Sequence, residues 1–145
     1  MKTWILAASL LAMSTLAFAK SQWLSPSRDD HTIGSAHVER TQDIQGHPMT
    51  VKLFHAMPVD APSFNPWFLR LAVVNEDNNS WNVYALPNVS AYQVLPSAQS
   101  GYMKIALSRD DYNTQTGKRI THKSTLFINL NNANRTGGKI EIEEK

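Results

Sequence analysis

Between residue 20 and the end of the chain, apolar residues recur at every second position in short runs, with no helical stripe of ten or more residues. The segment 50–54, Thr-Val-Lys-Leu-Phe, alternates strictly; 67–74 is rich in branched and aromatic residues, and 81–84 alternates again. Further runs at 91–95, 102–107, 124–130 and 139–143, with a weaker one at 36–44, bring the expectation to about eight short strands. The stretches between them, "MPVDAPSFNP", "NEDNNS", "LPNVS", "LPSAQSG" and "NNANRTGG", are dense in residues that set turn dihedrals or bond their own backbone. Short strands and turns in regular succession predict an all-β fold: an antiparallel two-sheet sandwich, immunoglobulin-like in kind.

Two connections refine this. "VVNEDNNSWNV" reads as a hairpin, because its centre tolerates left-handed backbone and its flanks are β-formers. The last hairpin is different. A two-residue turn at Gly137-Gly138 would put Ile140 and Ile142 on the face of Asn129 and Asn131 rather than with Leu126, Ile128 and Leu130. A slip of that kind turns the core outward, so a wider loop over residues 131–138, or a bulge, is expected.

The opening of the chain has another pattern. Lys2, an apolar run over residues 4–13 and the small residues Ala17 and Ala19 have the three parts of a secretory signal peptide, with cleavage expected near Ala19. The run is too short to span a bilayer, so no membrane span is expected after the signal is removed. Residues 1–19 are thus read as signal, 20–35 as an N-terminal arm whose Trp23 docks on the domain, and 36–145 as a single sandwich domain, destined for the periplasm or secretion.

Composition narrows the chemistry. The chain has no cysteine, which removes a catalytic thiol, a thiolate metal site and the lipid anchor of a bacterial lipoprotein. The 14 Lys and Arg nearly balance the 12 Asp and Glu, giving no electrostatic case for nucleic acid. Gly-x-Ser-x-Gly, His-Glu-x-x-His and a glycine-rich phosphate cradle are all missing, so no catalytic residues are assigned. The acidic pairs Asp29-Asp30, Glu76-Asp77 and Asp110-Asp111 read as solvated turn residues. "DDYNTQTGK" imitates the start of a calcium loop, but Gly117 falls one place late and no acidic residue closes the loop, leaving a self-bonded turn.

Two sets of residues carry functional readings. His47-x-Met49 and His55-x-Met57 combine imidazole with thioether, a pairing suited to copper, and residues i and i+2 of a strand share a face. Met49 and His55, however, are six residues apart, about 20 Å along an extended strand, too far to share one ion. The preferred reading therefore places the methionines in the core and the histidines at its rims. The second set comprises Phe54, Phe68, Arg70, Tyr84, Tyr102 and Lys104, expected on outer sheet faces, where aromatic and basic residues anchor a protein or a glycan. From sequence, then, the chain reads as an exported, non-catalytic binding module without a cofactor, with copper binding as the alternative.

Overall fold

The structure is a computed structural model that describes residues 21–25, 35–57, 64–135 and 137–145. The signal read at residues 1–19, most of the arm and the pair Asp29-Asp30 lie outside these residues. Nine strands form and no helix is present among the described residues: β1 (Ser21–Leu24), β2 (Ser35–Gln42), β3 (Pro48–Ala56), β4 (Phe68–Asn75), β5 (Ser80–Ala85), β6 (Ala91–Leu95), β7 (Tyr102–Asn113), β8 (Lys118–Asn129) and β9 (Ile140–Glu144). All pairings are antiparallel, in a five-stranded sheet ordered β1-β9-β8-β7-β6 and a four-stranded sheet ordered β2-β3-β4-β5.

The two sheets share one hydrophobic cluster. The four-stranded sheet contributes Met49, Val51, Leu53, Leu69, Leu71, Val73 and Tyr84, and the five-stranded sheet contributes Met103, Ile105, Leu107, Leu126, Ile128, Ile140 and Ile142. Alternation explains the set: in β3 the odd positions Met49, Val51 and Leu53 are fully buried while Thr50, Lys52 and Phe54 are half-buried on the other side. Each such side chain contributes about 1.5–3 kcal/mol through removal of its apolar surface from water.

Topology departs from the immunoglobulin expectation. That fold interleaves its strands between sheets through Greek-key connections. Here every neighbouring pair is consecutive in sequence except β1 with β9, and the chain changes sheet only between β1 and β2 and between β5 and β6. The result is two meanders facing each other. Alternation reports which side of a strand is buried, not which strand lies beside which.

Three further differences have local causes. Residues 21–24, read as part of an arm, form β1 on the edge of the five-stranded sheet, with Trp23 opposite Glu141. Four residues are too few to show a period, and the pairing with β9 decides their conformation. The hairpin of β7 and β8 runs twelve residues on each strand, well past the expected ends at 107 and 124. Its extension is mostly polar, with Tyr112 and Ile120 its isolated exposed apolar residues, and therefore carries no alternating apolar signal. The turn itself is self-bonded as expected: Asn113 Oδ1 accepts from the backbone N–H of Gln115 and Thr116, and Gly117 supplies a positive φ of 65°.

The third concerns Asp110, which is buried rather than solvated. Arg119 and Thr121, across the hairpin on β8, donate to its two carboxylate oxygens. The Asn65 side chain clasps the same residue's backbone, with Oδ1 accepting from the N–H and Nδ2 donating to the carbonyl, both at 2.9 Å. Asn65 thereby satisfies β7 just beyond the point where β6 ends at Ala91 opposite Ser108.

The wide loop before β9 is present, and Ile128 pairs with Ile142 as the core requires. Side chains of the four-stranded sheet hold it. Asn75 donates to the Asn134 carbonyl at 2.6 Å, Asn82 to the Ala133 carbonyl at 3.0 Å, and Tyr84 to the Gly138 carbonyl at 2.8 Å. Asp43, in the turn between β2 and β3, accepts from Asn134 Nδ2 at 2.9 Å and from the backbone N–H of Gln45 and His47. Burial raises the Asp43 pKa, but those bonds outweigh it and hold the carboxyl below its ordinary value.

Candidate functional site

The outer face of the four-stranded sheet follows from the strand registers. Arg40, Thr50, Val74 and Trp81 lie in one row across β2, β3, β4 and β5; Val38, Lys52, Ala72 and Val83 lie in the next. Phe54, Arg70 and Ala85 form a third, with Phe68 beyond them opposite Ala56. This face is unusually apolar for one directed at water. Trp81 is 58% exposed and Val38 54%, whereas Ala72 and Val83 between them are buried under their neighbours. Its cations stand in or beside the apolar rows: Arg70 is half-buried and donates to the Leu69 carbonyl at 3.0 Å, and Arg40 lies 3.6 Å from Glu76.

Of the six residues expected on outer faces, Phe54, Phe68 and Arg70 come together here, with Phe54 and Arg70 direct cross-strand partners. Tyr102 and Lys104 also face outward, but on the five-stranded sheet, the opposite side of the molecule. Tyr84 is a correction: its ring is fully buried in the core, and burial pushes its hydroxyl pKa well above the ordinary phenol value. The reason is the four-residue loop joining β4 to β5. Asn75 pairs with Ser80, so odd positions of β4 meet even positions of β5, and Asn82 and Tyr84 turn inward with Val73 and Leu71. The same parity turns Trp81 outward, a large aromatic residue of this face that the sequence reading left out. Counting residues across "EDNN" supplies the missing signal, since an even loop exchanges the parity of the two strands.

The His and Met residues occupy four different settings. His47 precedes β3 and its Nδ1 lies 2.7 Å from the Asp77 carboxylate at the surface. Met49 is fully buried in the apolar cluster. His55, on the inner side at the other end of β3, hydrogen-bonds through Nδ1 to the Tyr92 hydroxyl at 2.6 Å and meets the Trp67 ring edge-on at 4.9 Å. Met57 is a correction to the core placement expected of both methionines: it is 56% exposed, because β3 ends at Ala56 and the alternation that buries Met49 stops there. His55 and Tyr92 tie the two sheets together at that end, because Tyr92 belongs to β6. Among the described residues, no three His, Cys, Asp or Glu side chains gather to hold a metal ion.

One open side of the molecule carries a cleft of about 530 Å³ between the edge strands β2 and β6, lined by His37, Arg40, Gln42, Val94, Leu95 and Ser100 among others. Its floor is pinned where Ser100 Oγ donates to the Gln42 carbonyl and accepts from the Gln42 N–H. Among the described residues, no helix is long and apolar enough to cross a membrane. Comparison with protein-family models, with curated proteins and with solved structures finds no match for this chain.

Proposed function

We propose that the chain is an exported, non-catalytic binding module of bacterial periplasmic or secreted type, whose protein partner lies against the outer face of the four-stranded sheet. The exposure of Trp81 beside Val74, on a face that also bears Val38, Phe54, Phe68 and Arg70, carries this reading. Tryptophan and arginine dominate the energetics of protein interfaces, and apolar patches of this kind on small proteins mark surfaces that a partner covers. The bland account of such a face is cross-strand packing of rings over cationic stems. That account serves Phe54 beside Arg70, but leaves Trp81 and Val38 more than half exposed.

The experiment is a paired substitution, Trp81→Ala with Arg70→Ala, in the purified protein used as bait in a periplasmic extract. Folding is retained, because both side chains stand on the outer face, while recovery of the partner falls at least about thirtyfold, the loss expected when an interface anchor worth about 2 kcal/mol is removed. Unchanged recovery rejects the choice of face.

A further inference from the structure

The far half of β8 has a partner on one side only. Along a strand of an antiparallel sheet, successive residues aim their backbone bonds to opposite sides. Leu130 donates its N–H to the Gly101 carbonyl at 2.8 Å, so even positions of β8 bond toward β7; Thr125 exchanges both backbone bonds with Lys145, at 2.7 Å and 3.0 Å, so odd positions bond toward β9. Arg119, Thr121 and Lys123 therefore aim N–H and C=O to the side that β9 takes farther along, and among the described residues no strand pairs with them there. On the β7 side of the same hairpin, by contrast, the Asn65 side chain closes the backbone of Asp110. Residues 118–123 are all exposed, and Lys118, Arg119, His122 and Lys123 lie among them.

We propose that this edge takes up an extended acidic peptide of a partner protein, which adds to β8 as an antiparallel strand in line with β9. Strand addition satisfies the open backbone groups, and the side chains directly opposite set the preference. Arg119 is committed to Asp110, but among the described residues neither Lys118 nor Lys123 has a carboxylate within ion-pair reach. The acids Asp110 and Asp111 stand on β7, one strand farther from the incoming peptide. β9 shows the pattern that suits this side of β8, since Ile140 and Ile142 alternate with Glu141 and Glu143. Along residues 119–123 the same alternation sets carboxylates against Arg119 and Lys123 and an apolar side chain against the exposed Ile120. Edge lysines ordinarily keep strands apart. Here they turn away a second copy, because any antiparallel register lays one cationic strand on another, and they admit an acidic one. The edge strands β1, β5 and β6 carry no Lys or Arg, and β2 sets Glu39 beside Arg40, so none of them makes the same selection.

The test is titration of the purified protein with the capped peptide acetyl-Glu-Val-Glu-Val-Glu-Ser-amide, reading calorimetry and amide hydrogen exchange. The peptide binds with a Kd of about 1 mM or below. The N–H groups of Arg119, Thr121 and Lys123 exchange fast in the free protein and become protected, while those of Ile120 and His122, bonded to β7, are slow in both states. N-methylation of the peptide edge that faces β8 weakens binding by about tenfold or more, as does Lys in place of every Glu, whereas N-methylation of the opposite edge does not. On the protein, Lys123→Gln removes the charge and weakens binding by about threefold, and Lys123→Pro, which also removes the outward N–H at a position where a strand edge tolerates proline, weakens it by about tenfold or more. Lack of binding at concentrations on the order of millimolar, equal binding of the lysine peptide or of the peptide N-methylated toward β8, or unaltered exchange at Arg119, Thr121 and Lys123 overturns the proposal. Neither probe nor readout involves the outer face of the four-stranded sheet, so the edge and that face stand or fall separately.

Discussion

The Tyr84 hydroxyl donates to the Gly138 carbonyl at 2.8 Å, joining edge strand β5 of one sheet to the loop that precedes β9 in the other. Because Tyr84 is fully buried, this bond also fixes which side of β5 meets the core, and so places Trp81 outside. Tyr84→Phe keeps the ring and removes the donor, leaving a buried carbonyl unserved. A loss of about 1–3 kcal/mol is expected, seen in urea unfolding as a lower midpoint at unchanged slope. A midpoint equal to the parent's rejects the clamp.

Asp110 couples stability to pH. Hydrogen bonds from Arg119 and Thr121 hold its carboxyl well below the ordinary carboxylate value. A depressed folded-state pKa means that the stabilisation is fully present above the unfolded value, near 3.9, and drains away as pH falls from there through the folded value. Asp110→Asn is therefore less stable than the parent at neutral pH, and the two converge below about pH 4. Thermal midpoints measured from pH 7 down to pH 2 check this; a gap that stays constant across the range contradicts it.

The two methionines of the His-x-Met pairs separate by burial. Met49→Ala opens a cavity in the core and costs about 2–5 kcal/mol. Met57→Ala, at an exposed position, stays within about 0.5 kcal/mol of the parent. Equal losses in urea unfolding would contradict the placement of either residue.

Much of this architecture is legible in the sequence because one face of each strand is buried. Odd positions of β3 and the inward shift of Ile140 and Ile142 follow from alternation and a parity argument alone. Parity misleads only where a loop length goes uncounted, as across residues 76–79, which cost Tyr84 its correct side and hid Trp81. Polar strand extensions such as 109–113 and 118–122 are silent for another reason: their order comes from partners distant in sequence, Asn65 for β7 and cross-strand bonds for Asp110. Sheet order is silent too, and with it the fact that Tyr102 and Lys104 stand on the opposite side from Phe54, Phe68 and Arg70.

Among the described glycines with positive φ, Gly101 has the least room. It holds φ at 73°, and a Cβ there would run into the Asn131 side chain and approach the Gln42 carbonyl at 3.2 Å. Gly101→Ala combines backbone strain with a clash beside the cleft floor, so a loss above about 1 kcal/mol is expected. Gly46→Ala, with φ at 86° but nothing within 4 Å, bears the strain without the clash and loses less. Thermal midpoints of the two variants rank them, and the reverse order rejects this account of the turn.

The proposed binding face is tested most directly by photo-crosslinking from the intact protein. With a photoreactive phenylalanine at position 81 in a periplasmic extract, a single discrete adduct forms. Excess unlabelled parent competes it away, excess Trp81→Ala does not, and the same label at position 93 on the other sheet gives no such band. An adduct that Trp81→Ala competes equally well, or no adduct from position 81 at all, contradicts the assignment of this face.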